Sequence, residues 1–204
     1  AWVAPANVTQ DGPARIVSYS GSDSVRNFTL GQTLYNYDFL SRSSGTDANG
    51  EAGLSTADAD EVLQATLQHV VVTYEPVEGR KIYVNGNLVT DPQDANNQAG
   101  SVLNNWNDSY AFVLGNEVSG NQQWQGAIRL VAVHARALSA QSVQTNYDAG
   151  VGQKYFLLFS ISHLVNTPQS YIVFEVSQYD NYSYLFTAPY YISLDPSAVP
   201  SNFA

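Results

Sequence analysis

Residues 68–89 read QHVVVTYEPVEGRKIYVNGNLV, and residues 110–139 read YAFVLGNEVSGNQQWQGAIRLVAVHARALS. The first half of this stretch decides the fold class. Residues 69–74 form a β-branched run too short for a free-standing helix and of the right length for a strand. Pro76 and Gly79 break the run, and residues 81–84 resume it. Asn85-Gly86 then supplies two positions that accept positive φ, as a two-residue hairpin turn requires. In that register Val84 faces Asn87, Tyr83 faces Leu88 and Ile82 faces Val89, so apolar cross-strand pairs flank the turn. Residues 111–114 read as a further strand closed by Gly115. Residues 127–135 read as a longer one opened by Gly126.

Outward from this hairpin the pattern stays β. Residues 15–19, 28–32 and 34–39 are short strands, and residues 41–60 form a long polar loop holding Gly45, Gly50 and Gly53. Residues 60–66 fit a helical turn or a strand equally well. The one helix expected is 140–148, with Ser139 as its N-cap and Gly150 as its stop.

Several of these segments, in order, resemble the laminin-G-like, concanavalin-A-like group of β-sandwiches. The segments are His-Val-Val-Val-Thr-Tyr at 69–74, Gly-Arg-Lys-Ile-Tyr-Val-Asn-Gly at 79–86, Leu-Gly-Asn-Glu at 114–117, Trp-Gln-Gly-Ala-Ile at 124–128 and Arg-Ala-Leu-Ser at 136–139. Trp2-Val3, residues 14–18 and residues 27–31 fit the same pattern. The resemblance implies an all-β fold: a two-sheet antiparallel β-sandwich, or jelly roll, with one short helix near 140–148. It covers residues 1–152 as one sandwich domain and implies that more strand precedes Trp2, leaving the first strand truncated. Members of the group bind glycans, proteins or calcium or act as spacers, so the fold alone assigns no role.

Residues 153–204 have a different texture. They hold half of the fourteen tyrosines and a single lysine or arginine, Lys154. Residues 155–161, 171–176, 182–186 and 190–194 read as strands, separated by Pro168, Pro189, Pro196 and Pro200. This is a tyrosine-rich strand extension, expected to pack on its own sandwich or on a neighbouring copy.

Composition excludes several classes. Eight basic against eighteen acidic residues give a net charge of −10, the wrong sign for a nucleic-acid binder or for an anionic membrane surface. No apolar run approaches the roughly 20 residues of a membrane-spanning helix. The chain has no cysteine, hence no disulfide framework and no thiolate metal site, and no methionine, which marks it as processed or trimmed. At 204 residues it can bury a core without such staples.

Three kinds of site are compatible with such a sandwich. Hydrolysis of a glycoside needs two carboxyl groups held about 5–10 Å apart. The resembled glucanases carry Glu-x-Asp-x-x-Glu on a strand, and this chain has no such pattern. Glu75 and Glu78 fall in a hairpin loop, and Asp58, Asp60 and Glu61 precede a weak strand. His69, His134 and His163 lie far apart and read as strand residues. The chain therefore reads as non-enzymatic. Calcium takes six to eight oxygen ligands. Residues 47–51 offer Asp47, Asn49 and Glu51 around a glycine, and residues 91–97 offer Asp91, Asp94 and Asn96. Both stretches lack the full loop of a dedicated calcium site and read equally as solvated turns. No other cofactor is implied.

Glycan binding needs an aromatic platform beside amides. Trp106 with Asn105, Asn107 and Tyr110, and Trp124 within a Gln-rich stretch, supply these residue types. Both tryptophans also sit where the resembled family uses aromatic packing. Four N-glycosylation sequons begin at Asn7, Asn27, Asn107 and Asn181, with Asn7, Asn27 and Asn107 expected to be exposed.

These readings leave two roles for an extracellular or cell-surface module. One is structural, with self-association or another extracellular protein as partner. The other is glycan binding with calcium as an aid. A strand edge left open beside the truncated first strand, or the 153–204 extension, would be the connector in the first role.

Overall fold

The computed structural model describes residues 1–151 together with the backbone of strands at 156–158, 171–177 and 188–193. The chain divides into two compact units, Ala1–Ala149 and Gly150–Ala204.

In the first unit ten strands run in chain order: β1 Trp2–Pro5, β2 Ala14–Ser22, β3 Val25–Thr33, β4 Asn36–Ser41, β5 Leu54–Ser55, β6 Gln68–Glu75, β7 Gly79–Val84, β8 Asn87–Leu88, β9 Ala111–Leu114 and β10 Gly126–Leu130. They form two five-stranded sheets, ordered β10-β1-β6-β7-β8 and β5-β4-β3-β2-β9, with antiparallel pairing in both. This is the concanavalin-like sandwich that the hairpin and its flanking segments imply.

The hairpin has the expected register. Tyr83 faces Leu88 and Val84 faces Asn87, and the Val89 N–H donates to the Ile82 carbonyl at 3.0 Å. Asn85 and Gly86 both take positive φ, 50° and 85°, as a type I′ turn demands.

The core lies between the sheets. Val3, Val70, Ile82 and Val84 come from one sheet, and Ile16, Val17, Leu30, Tyr37, Phe39 and Leu54 from the other, with Leu63 and Trp124 closing it. Several polar groups inside this layer find partners across it, because an unpaired buried donor costs more than a made bond gains; among the described residues Ser18 Oγ, Ser41 Oγ and Arg80 Nε are buried without one. The Tyr37 hydroxyl donates to Gln68 Oε1 at 2.7 Å. Burial raises the pKa of that hydroxyl, so it stays protonated and remains a donor. Arg80, 1% exposed, reaches from β7 to the carbonyl of Ala52 at 2.8 Å and those of Phe39 and Gly50 at 3.4 Å.

The helix α1 Ala140–Asp148 has the expected bounds, and Ser139 Oγ accepts from the Ser142 N–H at 3.2 Å. It buries Val143 in a small cluster with Tyr83 and Leu138. No helix among the described residues is long and apolar enough to cross a membrane.

Four expectations change. β1 does not leave an open edge beside it: it lies between β10 and β6, with Trp2 opposite Leu130 and His69. The exposed edges are elsewhere because β10, called from later in the chain, takes the place beside β1. β10 ends at Leu130, opposite Trp2, and not near residue 135; Ala132, Val133, His134, Ala135 and Arg136 are exposed. The 41–60 loop contains the short strand β5, paired to β4. Residues 60–66 form no strand: a short 3-10 turn at Asp58–Asp60 precedes an irregular segment that buries Leu63.

In the second unit β11 Phe156–Leu158, β12 Tyr171–Ser177 and β13 Ala188–Ser193 pair antiparallel in the order β11-β12-β13. Val173 faces Tyr191 and Leu157 faces Val176. The strand expected at 182–186, His163 and Asn181 lie outside the described residues.

An aromatic ledge as the candidate functional site

The ledge begins with strand register. Tyr19 of β2 lies directly opposite Phe28 of β3 on one side and Phe112 of β9 on the other. Two residues along each strand stand Val17, Leu30 and Leu114, which also face one another. Side chains alternate in a strand, so the aromatic row continues the row of Val17 and Leu30, which are core residues. Toward β9 this row emerges from the core: Val17 is 3% exposed, Phe112 47% and Leu114 50%.

Trp106 packs on this row from the 102–110 loop. Its ring lies 5.7 Å from Phe28, tilted by 31°, and meets Tyr19 edge-on at 6.3 Å and 89°. Tyr19 and Phe112 meet at 6.3 Å and 67°, and Phe28 and Phe112 at 6.3 Å and 60°. These spacings are those of attractive aromatic pairs.

The loop that carries Trp106 is fastened by backbone bonds. Ser44 N–H donates to Val102 O at 2.9 Å, and Val102 N–H to Ser44 Oγ at 3.0 Å. Asn105 Nδ2 donates to Ser43 O at 3.1 Å. The Trp106 indole N–H donates to Arg42 O at 2.7 Å. Asn27 then clasps the next residue: its amide donates to Asn107 O at 2.7 Å, and its Oδ1 accepts from Asn107 N–H at 2.8 Å. The Tyr19 hydroxyl donates to Asp108 O at 3.2 Å. Tyr110 leans on Gly21, where a Cβ would lie 2.8 Å from its Cε1, so the glycine is needed for the close approach.

Below the ledge lies a buried ion pair. Arg26 and Glu117 are fully buried, with Nη1 3.3 Å from Oε2. Arg26 also donates to Thr29 Oγ1 at 2.9 Å, Asn49 Oδ1 at 2.7 Å and Asp23 O at 2.5 Å. Glu117 Oε1 accepts from the Ser20 hydroxyl and from the Val118 N–H. Burial lowers the Arg26 pKa and the Glu117 charge raises it. The network ties the β2–β3 turn, the 47–51 loop and the 115–121 loop to one point.

Among the sequence-expected residues, Trp106, Asn105, Asn107 and Tyr110 come together here. Trp124 does not: it is 7% exposed, part of the core, and its indole N–H donates to Gln32 Oε1 at 2.7 Å. It is a packing residue and offers no platform. Of the sequons, Asn107 is exposed and Asn7 half-buried, each accepting through Oδ1 from the residue two positions on. Asn27 corrects the expectation of exposure. It lies within β3, fully buried, because its amide is spent on the clasp.

The calcium candidates are closed into turns. Asp91 Oδ1 accepts from Gln93 N–H and Asp94 Oδ1 from Asn96 N–H, both at 2.8 Å. In the 47–51 loop Asp47 Oδ1 accepts from the Asn49 and Glu51 N–H groups at 2.9 Å. Among the described residues no three His, Cys, Asp or Glu side chains gather in the manner of a metal site.

The residues that sequence reading missed are Tyr19, Phe28, Phe112 and Arg42. Alternation of Phe112 with Leu114 reads as a core-facing strand; only the register shows that its face emerges from the core.

The family model of the concanavalin A-like lectin/glucanases superfamily matches residues 1–144. The chain belongs to this superfamily. No curated protein sequence matches it. Among solved structures, the chain is similar to the receptor-binding domain of botulinum neurotoxin C/D mosaic serotype, at 13% identity and a TM-score of 0.42, over 92% of this chain and 48% of that one. It is also similar to an S-layer domain-containing protein from Clostridium thermocellum, at 19% identity and a TM-score of 0.28, over 67% of this chain and 64% of that one. The chain thus spans about half the length of the toxin domain. At this distance neither likeness identifies a ligand or a partner.

Proposed function

We propose that this superfamily member is a non-catalytic extracellular binding module that takes carbohydrate on the ledge of Trp106 and Phe112. The observation that carries the reading is the state of Trp106. The residue is 38% exposed while its indole N–H is already bonded within the fold. It therefore presents an apolar face held in one orientation, which suits the C–H face of a pyranose. Phe112, which packs on the same Tyr19 and Phe28 rings as Trp106, adds exposed apolar surface, and Asn107, Asp108 and Arg42 form a polar rim able to meet hydroxyl groups. A rigid platform gives up little conformational freedom on binding.

The test is a glycan array followed by calorimetry on the hits. Trp106→Ala should weaken binding at least tenfold, whereas Trp124 substitutions should act through stability alone. Absence of any glycan ligand, or unchanged affinity in Trp106→Ala, refutes the reading.

A structural, self-associating role is the second reading. It is favoured by a separate observation: among the described residues β9 ends its sheet, with Leu114 half exposed.

A further inference from the structure

We infer that β9 pairs antiparallel with β9 of a second copy of this chain, joining two five-stranded sheets into one of ten. This deepens the self-associating reading and does not depend on the carbohydrate one.

β9 ends its sheet, with β2 on one side. In an antiparallel ladder bonded and non-bonded pairs alternate. The Gly115 N–H donates to Ile16 O at 2.9 Å, so Gly115–Ile16 is a bonded pair and Leu114–Val17 is not. The next bonded pairs are Val113–Ser18 and Ala111–Ser20, leaving Phe112–Tyr19 unbonded to β2. The backbone N–H and C=O groups of Phe112 and Leu114 therefore point away from β2. No other bond reaches them among the described residues. Beyond Gly115 the edge closes, because Trp124 N–H donates to the Gly115 carbonyl at 2.9 Å.

The exposed groups are self-complementary. With a twofold axis through Val113, the outward pair of each strand meets the other's: Phe112 bonds to Leu114 of the second copy, and Leu114 to its Phe112. Each such pair also sets an exposed apolar side chain directly opposite another, the arrangement that stabilises adjacent strands. An edge with unpaired backbone groups and apolar side chains recruits a strand. Natural edges are defended with charge or proline, and this one has neither. Residues 109–116, SYAFVLGN, carry no charge in a chain of net charge −10, so this is a stretch along which two copies approach without like-charge opposition. The same axis closes the assembly as a dimer. Three residues of pairing, 112–114 of each copy, make a small interface, so the dimer is a weak one.

The chain has no cysteine, which makes the geometry directly testable. On the twofold axis the two Val113 residues form a non-bonded pair with Cα atoms about 4.5 Å apart, within disulfide reach. Val113→Cys should form a disulfide-linked dimer under mild oxidation, while Val118→Cys should not. Sedimentation velocity should show a concentration-dependent dimer of the native chain. Leu114→Pro removes an outward N–H that β2 does not use, a position where an edge strand tolerates proline; it should raise the dimer dissociation constant at least tenfold. Leu114→Lys gives the same readout if the proline variant folds poorly, with circular dichroism confirming the sheet in each. A dimer insensitive to both changes, with no Val113→Cys cross-link, overturns the β9 interface and leaves self-association standing. A monomer at all concentrations up to about 1 mM, again without cross-link, overturns both.

Discussion

Asn27 and Asn107 hold each other from 80 residues apart: the Asn27 amide donates to the Asn107 carbonyl at 2.7 Å, and its Oδ1 accepts from the Asn107 N–H at 2.8 Å. One buried side chain thereby satisfies both backbone groups of the residue beside Trp106. Asn27→Ala leaves both without their partner. The expected cost is about 2–4 kcal/mol, measured by urea denaturation. The ledge should also loosen, so glycan affinity should fall further than in a variant of equal stability elsewhere.

The same clasp decides the sequons. An N-glycan on Asn27 is incompatible with an amide buried in β3. Folded protein secreted from a glycosylating eukaryotic host should carry glycan at Asn7 or Asn107 and none at Asn27. Site-resolved mass spectrometry before and after glycosidase treatment checks this. Glycan at Asn27 in folded material would contradict the register of β3.

Glu117→Gln should be among the most damaging single changes. It strands the Arg26 guanidinium without its counter-charge in a fully buried position, a loss of about 3–5 kcal/mol. Glu78→Gln removes the partner of Lys81 in a pair whose Glu78 side chain is 63% exposed and should change stability by about 1 kcal/mol or less. Chemical denaturation of the two variants separates a pair held by the fold from one on its surface.

His69 gives the stability a pH dependence of known sign. The residue is 5% exposed and packs against both Trp2, 4.9 Å away, and Tyr147, 6.2 Å away, two rings that also stack on each other at 6.0 Å. Burial pushes its pKa down to about 4. The unfolded chain therefore binds the proton first as pH falls. Stability from this group is complete above pH 6.5 and is lost as pH drops toward 4, in total on the order of 3 kcal/mol. His69→Phe should keep the ring stack and remove that part of the slope. Equal slopes for native and variant between pH 6.5 and 4 would show that His69 does not carry it.

Gly86→Val tests the hairpin. Gly86 has φ 85°, where a β-branched residue is strained by about 1–3 kcal/mol. A Cβ there would also lie 2.3 Å from Gln144 Oε1. Adding Gln144→Ala relieves the contact and not the dihedral, so the double variant should recover only part of the lost thermal stability.

What the sequence by itself determined was local. Asn85-Gly86 placed the hairpin and its register, because positive φ at two adjacent residues admits few alternatives. Ser139 and the residues after it placed the helix to its observed bounds, because a cap and an amphipathic turn are read within one short window. Trp106, with its amide neighbours, was legible as an aromatic in a polar loop.

What tertiary structure decided was which face each β residue shows. Trp106 and Trp124 look alike in sequence, each among Asn or Gln residues. One lies on the surface of the ledge and the other in the core, because only the latter meets the Gln32 amide between the sheets. Asn27 looked like a loop-edge acceptor until β3 ran through it. β1 looked like an edge and became interior, while β9, read only as a further strand, ends its sheet among the described residues. A strand's period of two says that its faces differ. It does not say which face is buried or which neighbour lies alongside; long-range pairing fixes both, and no local window contains it.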